Sequence, residues 1–267
     1  IRCKKCGEEV SRIPDVGDAW LDAGIVPFST LNYLNDKKYW EKWFPADLIS
    51  ENMPGQARGW FNALMWASVA ITGKVPFKYV YLHGLVRDKE KQKMSKSKGN
   101  VIDPLGVTDV YGTDALRMAL VVGNTPGSDI AISEEKIKGY RNFATKIWHA
   151  GRFVIMNTDS VDIKKKPRLS KQDAKFLSEL NKFIAEVTKE MDHFKFYIAS
   201  EKLYHYFWHT FCDKIIEEKK KDLEGNDSVK KTSAKWLILE VYATCLQLLH
   251  PFMPFVTEEI YQQLPIR

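Results

Sequence analysis

The spacing of hydrophobic residues changes twice within the first hundred positions. Residues 1–50 have no steady period and carry several prolines and glycines, which predicts loops and short strands. Residues 60–70 are densely apolar and are followed by Gly73 and Pro76, which predicts a buried helix that stops there. A β-branched and aromatic run at 79–82 then predicts a buried strand. A buried helix followed by a buried strand is half of a parallel α/β unit, whose ligands bind beyond the carboxyl ends of the strands.

The rest of the chain has helical spacing. Thr113 and Ser133 each precede such a pattern and are predicted N-caps. A charged segment at 162–168 has no apolar face and predicts a linker. Beyond Leu169, apolar residues recur at intervals of three and four, interrupted at 225–227. The pattern therefore predicts an α/β part followed by an all-α helical bundle.

Composition places the chain among ordinary globular proteins. Its 267 residues are 45% hydrophobic and 28% charged, which excludes a disordered chain and suits one large or two modest domains. No apolar run approaches the roughly 18–20 residues that span a bilayer, so no membrane partner is expected. The net charge of +6 is a mild signal for nucleic acid. Since the chain begins at Ile1 without Met or a leader-type segment, we expect a piece of a longer protein.

The four cysteines are too few for a disulfide framework and suit a reducing, cytoplasmic location. Cys212 and Cys245 lie among helix-patterned apolar residues and are predicted core thiols. Cys3 and Cys6 have the spacing of one half of a zinc knuckle, because two thiolates so placed can reach one tetrahedral ion. No second pair and no nearby His follows, so Zn²⁺ is expected in the longer protein rather than in this piece. The alternative is a surface turn that binds no metal.

A basic loop follows the predicted strand. Its lysines alternate with small hydroxyl residues and end at Gly99 and Asn100; they are Lys91, Lys93, Lys96 and Lys98. Lysine is a compact charge suited to phosphate, and hydroxyls and backbone N–H groups add donors. On charge alone, a solvated loop is the simpler interpretation. The position after a buried strand is also where an α/β sheet would hold a polyphosphate or stabilise a leaving pyrophosphate.

The loop contains the string Lys93-Met94-Ser95-Lys96-Ser97, which resembles the five-residue signature of class I aminoacyl-tRNA synthetases. The flanking segments 83–88 and 98–104 resemble the valyl/isoleucyl subgroup, with the valyl enzymes favoured. Segments 139–143 and 249–260 in the helical half resemble the same subgroup. The resemblance implies an α/β remnant of a Rossmann-type catalytic domain, followed by a helical anticodon-binding domain.

The resemblance also implies roles for the loop. Lys96 would stabilise the pyrophosphate while the amino acid carboxylate attacks the α-phosphate of ATP, and Lys93 would support the same step. Since such an enzyme positions reactants and stabilises developing charge, loss of Lys96 should lower the rate more than the ATP affinity. ATP with Mg²⁺ is the expected cofactor. The implied ATP-binding residues are Lys93, Met94, Ser95, Lys96, Ser97, His83 and Gly84.

A second resemblance concerns the amino acid pocket. Residues 56–61 are similar to the isoleucyl segment that lines the aminoacyl-adenylate site, which assigns Gln56 and Trp60 to it. The expected acidic residue upstream falls at Glu51 or at Asn52, depending on a one-residue shift. A core role for the aromatic side chains is the alternative.

The resemblance divides the chain into three regions. Residues 1–105 would be the C-terminal half of the catalytic domain with its signature loop. Residues 106–168 would be stem-contact helices and a linker, and residues 169–267 would be the anticodon-binding domain. The family also needs a His-x-Gly-His element, and no such string occurs in this sequence. The chain alone should therefore not activate an amino acid. Valine and isoleucine differ by one methylene, worth about 1–3 kcal/mol in a pocket, and valine is favoured on the length of the resemblance.

The expected function is thus that of a fragment of a cytoplasmic, monomeric aminoacyl-tRNA ligase. It would act on a small branched amino acid, ATP and a valine or isoleucine acceptor tRNA. Basic clusters on the helical half support tRNA, although most such runs are solvated faces. The alternative from another class is a free-standing tRNA-binding module without catalysis, which would not need the signature loop.

Overall fold

The computed structural model describes residues 2–11, 19–88, 90–95, 99–159 and 161–266. The chain divides into two compact units, each described by itself below. The first unit comprises Ile1–Leu85 with Pro126–Ser128, and the second comprises Val86–Thr125 with Asp129–Arg267.

The first unit is a small α/β fold. Its elements are α1 (Ala19–Gly24), α2 (Val26–Ser29), α3 (Lys37–Trp43), β1 (Ala46–Asn52), α4 (Met53–Gln56), α5 (Trp60–Thr72) and β2 (Phe77–His83). The strands β1 and β2 pair in parallel, from Ala46 opposite Phe77 to Asn52 opposite His83. Because α5 connects them, the three elements form a complete βαβ unit.

Both elements predicted in this unit are present. The helix α5 ends where Gly73 adopts φ +69°, a left-handed conformation that glycine permits at low cost. The predicted burial of the second strand is wrong for this chain, since Tyr79 is 57% and Val80 40% exposed. Among the described residues, β2 pairs with no strand other than β1, so both strands of this sheet are edge strands.

Residues 1–50 differ from the predicted loops and short strands. The strand β1 includes part of that region, but α1, α2 and α3 are helical. An aromatic cluster of Phe28, Trp40 and Phe44 supports α2 and α3, with the Trp40 and Phe44 rings stacked at 4.4 Å. Close packing of large rings thus orders a segment that has no regular hydrophobic period.

The second unit is almost entirely helical. Its elements are β3 (Val86–Arg87), α6 (Pro104–Tyr111), α7 (Thr113–Val121), β4 (Ile130–Ala131), α8 (Glu134–Thr158), α9 (Lys171–Asp192), α10 (Phe196–His205), a π-helix (Tyr206–Ile216), α11 (Glu217–Glu224), α12 (Ser228–Leu249) and α13 (Pro254–Tyr261). The segment 162–168, predicted to be a linker, lies between α8 and α9 within the second unit. The π-helix was not predicted, because its apolar spacing suits an α-helix equally well.

The predicted caps have different outcomes. Ser133 caps α8, and its hydroxyl accepts the N–H of Lys136 at 3.2 Å, so that prediction is confirmed. The prediction for Thr113 is wrong by one residue, since the N-cap of α7 is Gly112 at φ +85°. That backbone conformation favours glycine, and Thr113 becomes the first helical residue.

The main core of the second unit is formed by α8–α13 together with the π-helix. Phe143 and Ile147 of α8 and Leu237 of α12 belong to it, and all three are completely buried. Cys212 and Cys245 lie in this core, as predicted, and burial raises the pKa of Cys212 to about 12. Among the described residues, no helix combines the length and the apolar character needed to cross a membrane.

Candidate functional site

The carboxyl ends of β1 and β2 bring two titratable side chains together. Glu51 is followed by Asn52, which lies directly opposite His83 in the parallel pair. The Oε1 of Glu51 is 3.9 Å from Nε2 of His83, and both side chains are about two-fifths exposed (38% and 37%). This is the edge of a parallel sheet where ligands are expected.

The Glu51 carboxylate is stabilised in its charged form. The backbone N–H of Asn52 donates to Oε1 of Glu51 at 2.9 Å, and the Asn52 side-chain amide donates at 2.8 Å. The backbone bond is the main reason that the pKa of Glu51 is lowered, followed by the side-chain bond. A negative charge is therefore held at the end of β1, whichever of the two residues matches the family pattern.

Gln56 is the last residue of α4, and Trp60 is the first residue of α5. The Oε1 of Gln56 accepts the N–H of Trp60 at 3.3 Å, and Nε1 of Trp60 donates to the carbonyl of Ala23 at 3.2 Å. A Cβ on Gly59 would lie 2.7 Å from the Trp20 ring, so only glycine fits there without displacement. The helix start is thus fixed by its own side chains and by α1.

His83 and Gly84 continue from the end of β2. Nδ1 of His83 is 2.8 Å from the carbonyl of Gly84. The N–H of Gly84 donates to the carbonyl of Ser128 at 3.0 Å, and Gly127 donates to Leu82 at 2.8 Å. The segment 126–128 therefore fixes the backbone at this end of β2.

The signature loop begins in the second unit, at the end of β3. The backbone of Arg87 pairs with Ala131 of β4 and forms an isolated antiparallel β-bridge with Lys93. The Arg87 side chain makes an ion pair with Asp129. Met94 packs against the small core that includes Val107. Lys96, Ser97 and Lys98 lie outside the described residues, and so does Lys89.

Asp88 and Asn100 hold the base of this loop, although the sequence predicted no site role for either of them. Oδ1 of Asp88 accepts the N–H groups of Glu90 at 3.0 Å and Gln92 at 2.8 Å. Its Oδ2 accepts the Asn100 amide at 2.8 Å. The same Asn100 side chain accepts the N–H of Ser95 at 3.0 Å. In the sequence, the only indication of this contact is a short polar residue at each end of the basic loop.

The structure brings together some of the predicted site residues. Glu51, Gln56, Trp60 and His83 all belong to the first unit, near the carboxyl edge of its sheet. Residues 93–95 belong to the second unit.

Cys3 and Cys6 lie on a tight turn of the first unit. Gly7, at φ +76°, donates its N–H to the carbonyl of Cys3 at 2.9 Å. Backbone N–H groups of Cys6 and then Lys5 lower the pKa of the Cys3 thiol. Among the described residues, no three His, Cys, Asp or Glu side chains are grouped so that they could hold a metal ion. The turn therefore fits half of a tetrahedral zinc site, and the zinc assignment stays a prediction.

The basic residues of α8 do not form one uniform stripe. Lys136 is directed inward, donating to the carbonyl of Val122 at 3.0 Å, and burial lowers its pKa. Lys146 lies 3.3 Å from Asp213 and 4.9 Å from the ring centre of Trp208. Trp236 of α12 is 5% exposed and belongs to the core.

Two family models match the chain. Residues 2–133 match tRNA synthetases class I (I, L, M and V), and residues 173–266 match the anticodon-binding domain of tRNA ligase.

Curated relatives are similar over nearly the whole chain. A valine--tRNA ligase of Clostridium acetobutylicum is 43% identical over 266 residues, covering 98% of this chain. Valine--tRNA ligases of Syntrophotalea carbinolica and Geobacter sulfurreducens are each 41% identical, also over 98% of it. The chain spans 30% of the length of each of these relatives.

Solved structures have the same fold. A LeuRS of Agrobacterium radiobacter K84, in a ternary complex with tRNA and LeuAMS, matches with TM-score 0.77 and 22% identity. That match covers 100% of this chain and 33% of the other. A methionyl-tRNA synthetase of Mycobacterium tuberculosis bound by methionyl-adenylate matches with TM-score 0.75 and 18% identity, over 90% of this chain and 48% of that one.

Proposed function

This chain belongs to the class I tRNA synthetases of the isoleucine, leucine, methionine and valine group, and on that premise we propose that it is part of a valine--tRNA ligase. The proposal rests chiefly on one observation, the 43% identity to a valine--tRNA ligase over 98% of the chain. The full protein would activate valine with ATP and transfer it to a valine acceptor tRNA. It would act in the cytoplasm as a monomer.

In the proposed activation step, a carboxylate oxygen of valine attacks the α-phosphorus of ATP. The bond from that phosphorus to the pyrophosphate breaks, and the pyrophosphate leaves with its electron pair. Lys96 would stabilise this leaving group, with Lys93 beside it on the same loop. Preorganised cations facing developing charge lower the barrier without any protein nucleophile. Mg²⁺ would accompany the ATP phosphates, and no described cluster of acidic residues is assigned to it.

The carboxyl edge of the sheet suits the aminoacyl-adenylate. The Glu51 carboxylate, with its lowered pKa, would pair with the ammonium group of valine. Gln56 and Trp60 would border the same pocket, with orientations set by their bonds at the start of α5. His83 and Gly84 would lie next to ATP at the end of β2.

The helical half would bind tRNA. Residues 173–266, which match the anticodon-binding model, overlap the proposed anticodon-binding domain at 169–267. Residues 106–168 would contact the tRNA stem and link the two domains. Cys3 and Cys6 would supply two of four zinc ligands in the longer protein.

Amino-acid-dependent pyrophosphate exchange by the full-length gene product tests the proposal. We expect exchange with valine, and kcat/KM for isoleucine lower by about 10–200-fold. Lys96→Ala should lower kcat by about 10²–10³-fold with little change in the KM for ATP. The matched control is Lys38→Ala, an exposed lysine of α3 that we expect to leave exchange unchanged. Absence of exchange with both amino acids would overturn the proposal and favour a tRNA-binding module.

A further inference from the structure

One side-chain pair joins the two ends of the segment that contains the signature. Asp88 follows β3, Asn100 precedes α6, and the Asn100 amide donates to Oδ2 of Asp88 at 2.8 Å. We call this pair the Asp88–Asn100 clasp. Both of its side chains are half-buried.

Asn100 acts on the backbone of the signature itself. Its Oδ1 accepts the N–H of Ser95 at 3.0 Å, and its Nδ2 also lies 3.4 Å from the carbonyl of Lys93. One planar amide thereby contacts the backbone on both sides of Met94. Since Met94 is packed against a core cluster, the described half of the signature is fixed from two directions.

Asp88 fixes the orientation of the Asn100 side-chain amide. An ionised carboxylate only accepts hydrogen bonds, so the NH₂ group of Asn100 must point toward it and the oxygen toward Ser95. The other carboxylate oxygen of Asp88 is occupied by the N–H groups of Glu90 and Gln92. Asp88 therefore orients Asn100, and Asn100 orients the backbone of Lys93 and Ser95.

We propose that Asp88 and Asn100 are positioning residues for amino acid activation, holding the first half of the signature where its charges meet the leaving pyrophosphate. This inference rests on the proposed function. Misplacement of a reacting group by about 1 Å can lower a rate by about 10²-fold. The clasp should therefore affect kcat for activation far more than KM for valine.

The test compares Asn100→Asp, Asp88→Asn and the double variant D88N/N100D in the full-length gene product. The first variant places two carboxylates side by side, and the second places two amide NH₂ groups side by side. The double variant restores a donor–acceptor pair with the roles exchanged. We expect each single variant to lower kcat for valine-dependent pyrophosphate exchange by about 10–100-fold, with KM for valine within about twofold. The kcat of the double variant should be at least about tenfold higher than that of the worse single variant.

A pH profile separates positioning from general damage. In Asn100→Asp, the paired carboxylates repel, which raises the pKa of one of them. Uptake of a shared proton as the pH falls from about 8 to 6 would restore a donor, so activity relative to wild type should rise. Asn226→Asp makes the same charge change at an exposed position between α11 and α12 and should leave exchange unchanged.

The outcomes are distinct. Reduced single variants with a recovered double variant support the clasp. Single variants within about twofold of wild type, or a double variant no better than the worse single one, overturn it. Wild-type protein that shows no exchange overturns the proposed function itself.

Discussion

Nζ of Lys219 lies 2.5 Å from Oδ1 of Asp173, and the two side chains are only 6% and 4% exposed. The pair joins α11 to the first turn of α9. Asp222 lies 3.0 Å from the same ammonium, and the Ser233 hydroxyl of α12 donates to Asp173 at 3.1 Å. Each buried charge thus has several partners, which is the condition under which such a pair is tolerated.

Removal of one member of this pair should be costly. Lys219→Met leaves Asp173 charged and buried, and we expect the free energy of unfolding to fall by about 3 kcal/mol. The double variant D173N/K219M should recover most of that loss, because it leaves no unpaired charge in the core. Lys220→Met, which removes an exposed ion pair with Glu217, is the control and should change stability by less than about 1 kcal/mol. Urea unfolding followed by circular dichroism measures all three, and equal losses for Lys219 and Lys220 would contradict the prediction.

The same pair predicts how stability depends on pH. Burial by itself would raise the pKa of Asp173, but hydrogen bonds from Lys219, Ser170 and Ser233 outweigh it and the pKa is lowered. Burial likewise would lower the pKa of Lys219, but bonds to Asp173 and Asp222 raise it.

These two pKa shifts determine how the contribution of each residue to stability changes with pH. The Asp173 contribution is present above its unfolded pKa of about 3.9 and is lost as the pH falls through the lower folded value. The Lys219 contribution is complete below about pH 10.4 and is lost as the pH rises through the higher folded value. The stability difference between wild type and Lys219→Met should be largest at neutral to mildly alkaline pH and shrink as the pH falls, because the unpaired Asp173 of the variant takes up a proton more readily than the paired one. A difference that grows in acid would be inconsistent with this assignment.

Gly151 of α8 lies against side chains of α12 and α13. A Cβ at this position would lie 2.6 Å from Oη of Tyr242 and 2.9 Å from Ile260. We expect Gly151→Ala to destabilise the protein by about 1–3 kcal/mol through overpacking. Tyr242→Phe in the same chain removes the nearer atom and should recover part of the loss, although it also removes the bond from Tyr242 to the carbonyl of Ile147. Gly139→Ala, on the same helix with nothing within 4 Å, is the control in thermal unfolding. Equal effects at the two glycines would refute the packing argument.

The four cysteines should react in two groups. Cys6 is exposed and Cys3 has a lowered pKa, so both should be alkylated in the native protein at about pH 7.5. Cys212 and Cys245 are buried with raised pKa values and should react only in denaturant. Mass spectrometry after timed treatment with iodoacetamide counts the labels, and native labelling of Cys212 would show that the core opens readily.

Glu51 should influence amino acid binding rather than ATP binding. Glu51→Gln removes the charge proposed to meet the ammonium group, and we expect the KM for valine to rise about tenfold, equivalent to about 1.4 kcal/mol. Asp47→Asn is the matched control on the same strand, since Asp47 is 87% exposed and pairs with Lys78. Steady-state pyrophosphate exchange by the full-length gene product gives both KM values. An equal rise in the KM for ATP would assign Glu51 to the nucleotide instead.

Local signals in the sequence predicted local structure well. Gly73 ends α5, Ser133 caps α8, and the charged segment 162–168 separates two long helices, because each depends on a few adjacent residues. The signature string predicted the family, which the comparisons confirmed over most of the chain. Its site assignments stay predictions.

Features that depend on distant residues were not predictable in this way. The strand β1 pairs with β2, which follows it in the sequence only after the whole of α5. The contact between Asp88 and Asn100 spans a loop whose own pattern is only basic and polar. The exposure of Tyr79 depends on how many strands flank β2. The residues of β2 themselves do not indicate the number of neighbouring strands.

The π-helix at Tyr206–Ile216 has a consequence for how this protein can change in length. Its wider winding lets a continuous helical run from Phe196 to Glu224 accommodate extra residues without a loop. Insertions and deletions among related chains should therefore collect in this stretch, where a change of pitch absorbs them. They should be rare in α12, where residues on nearly every side are buried and a shift of one position would expose the core.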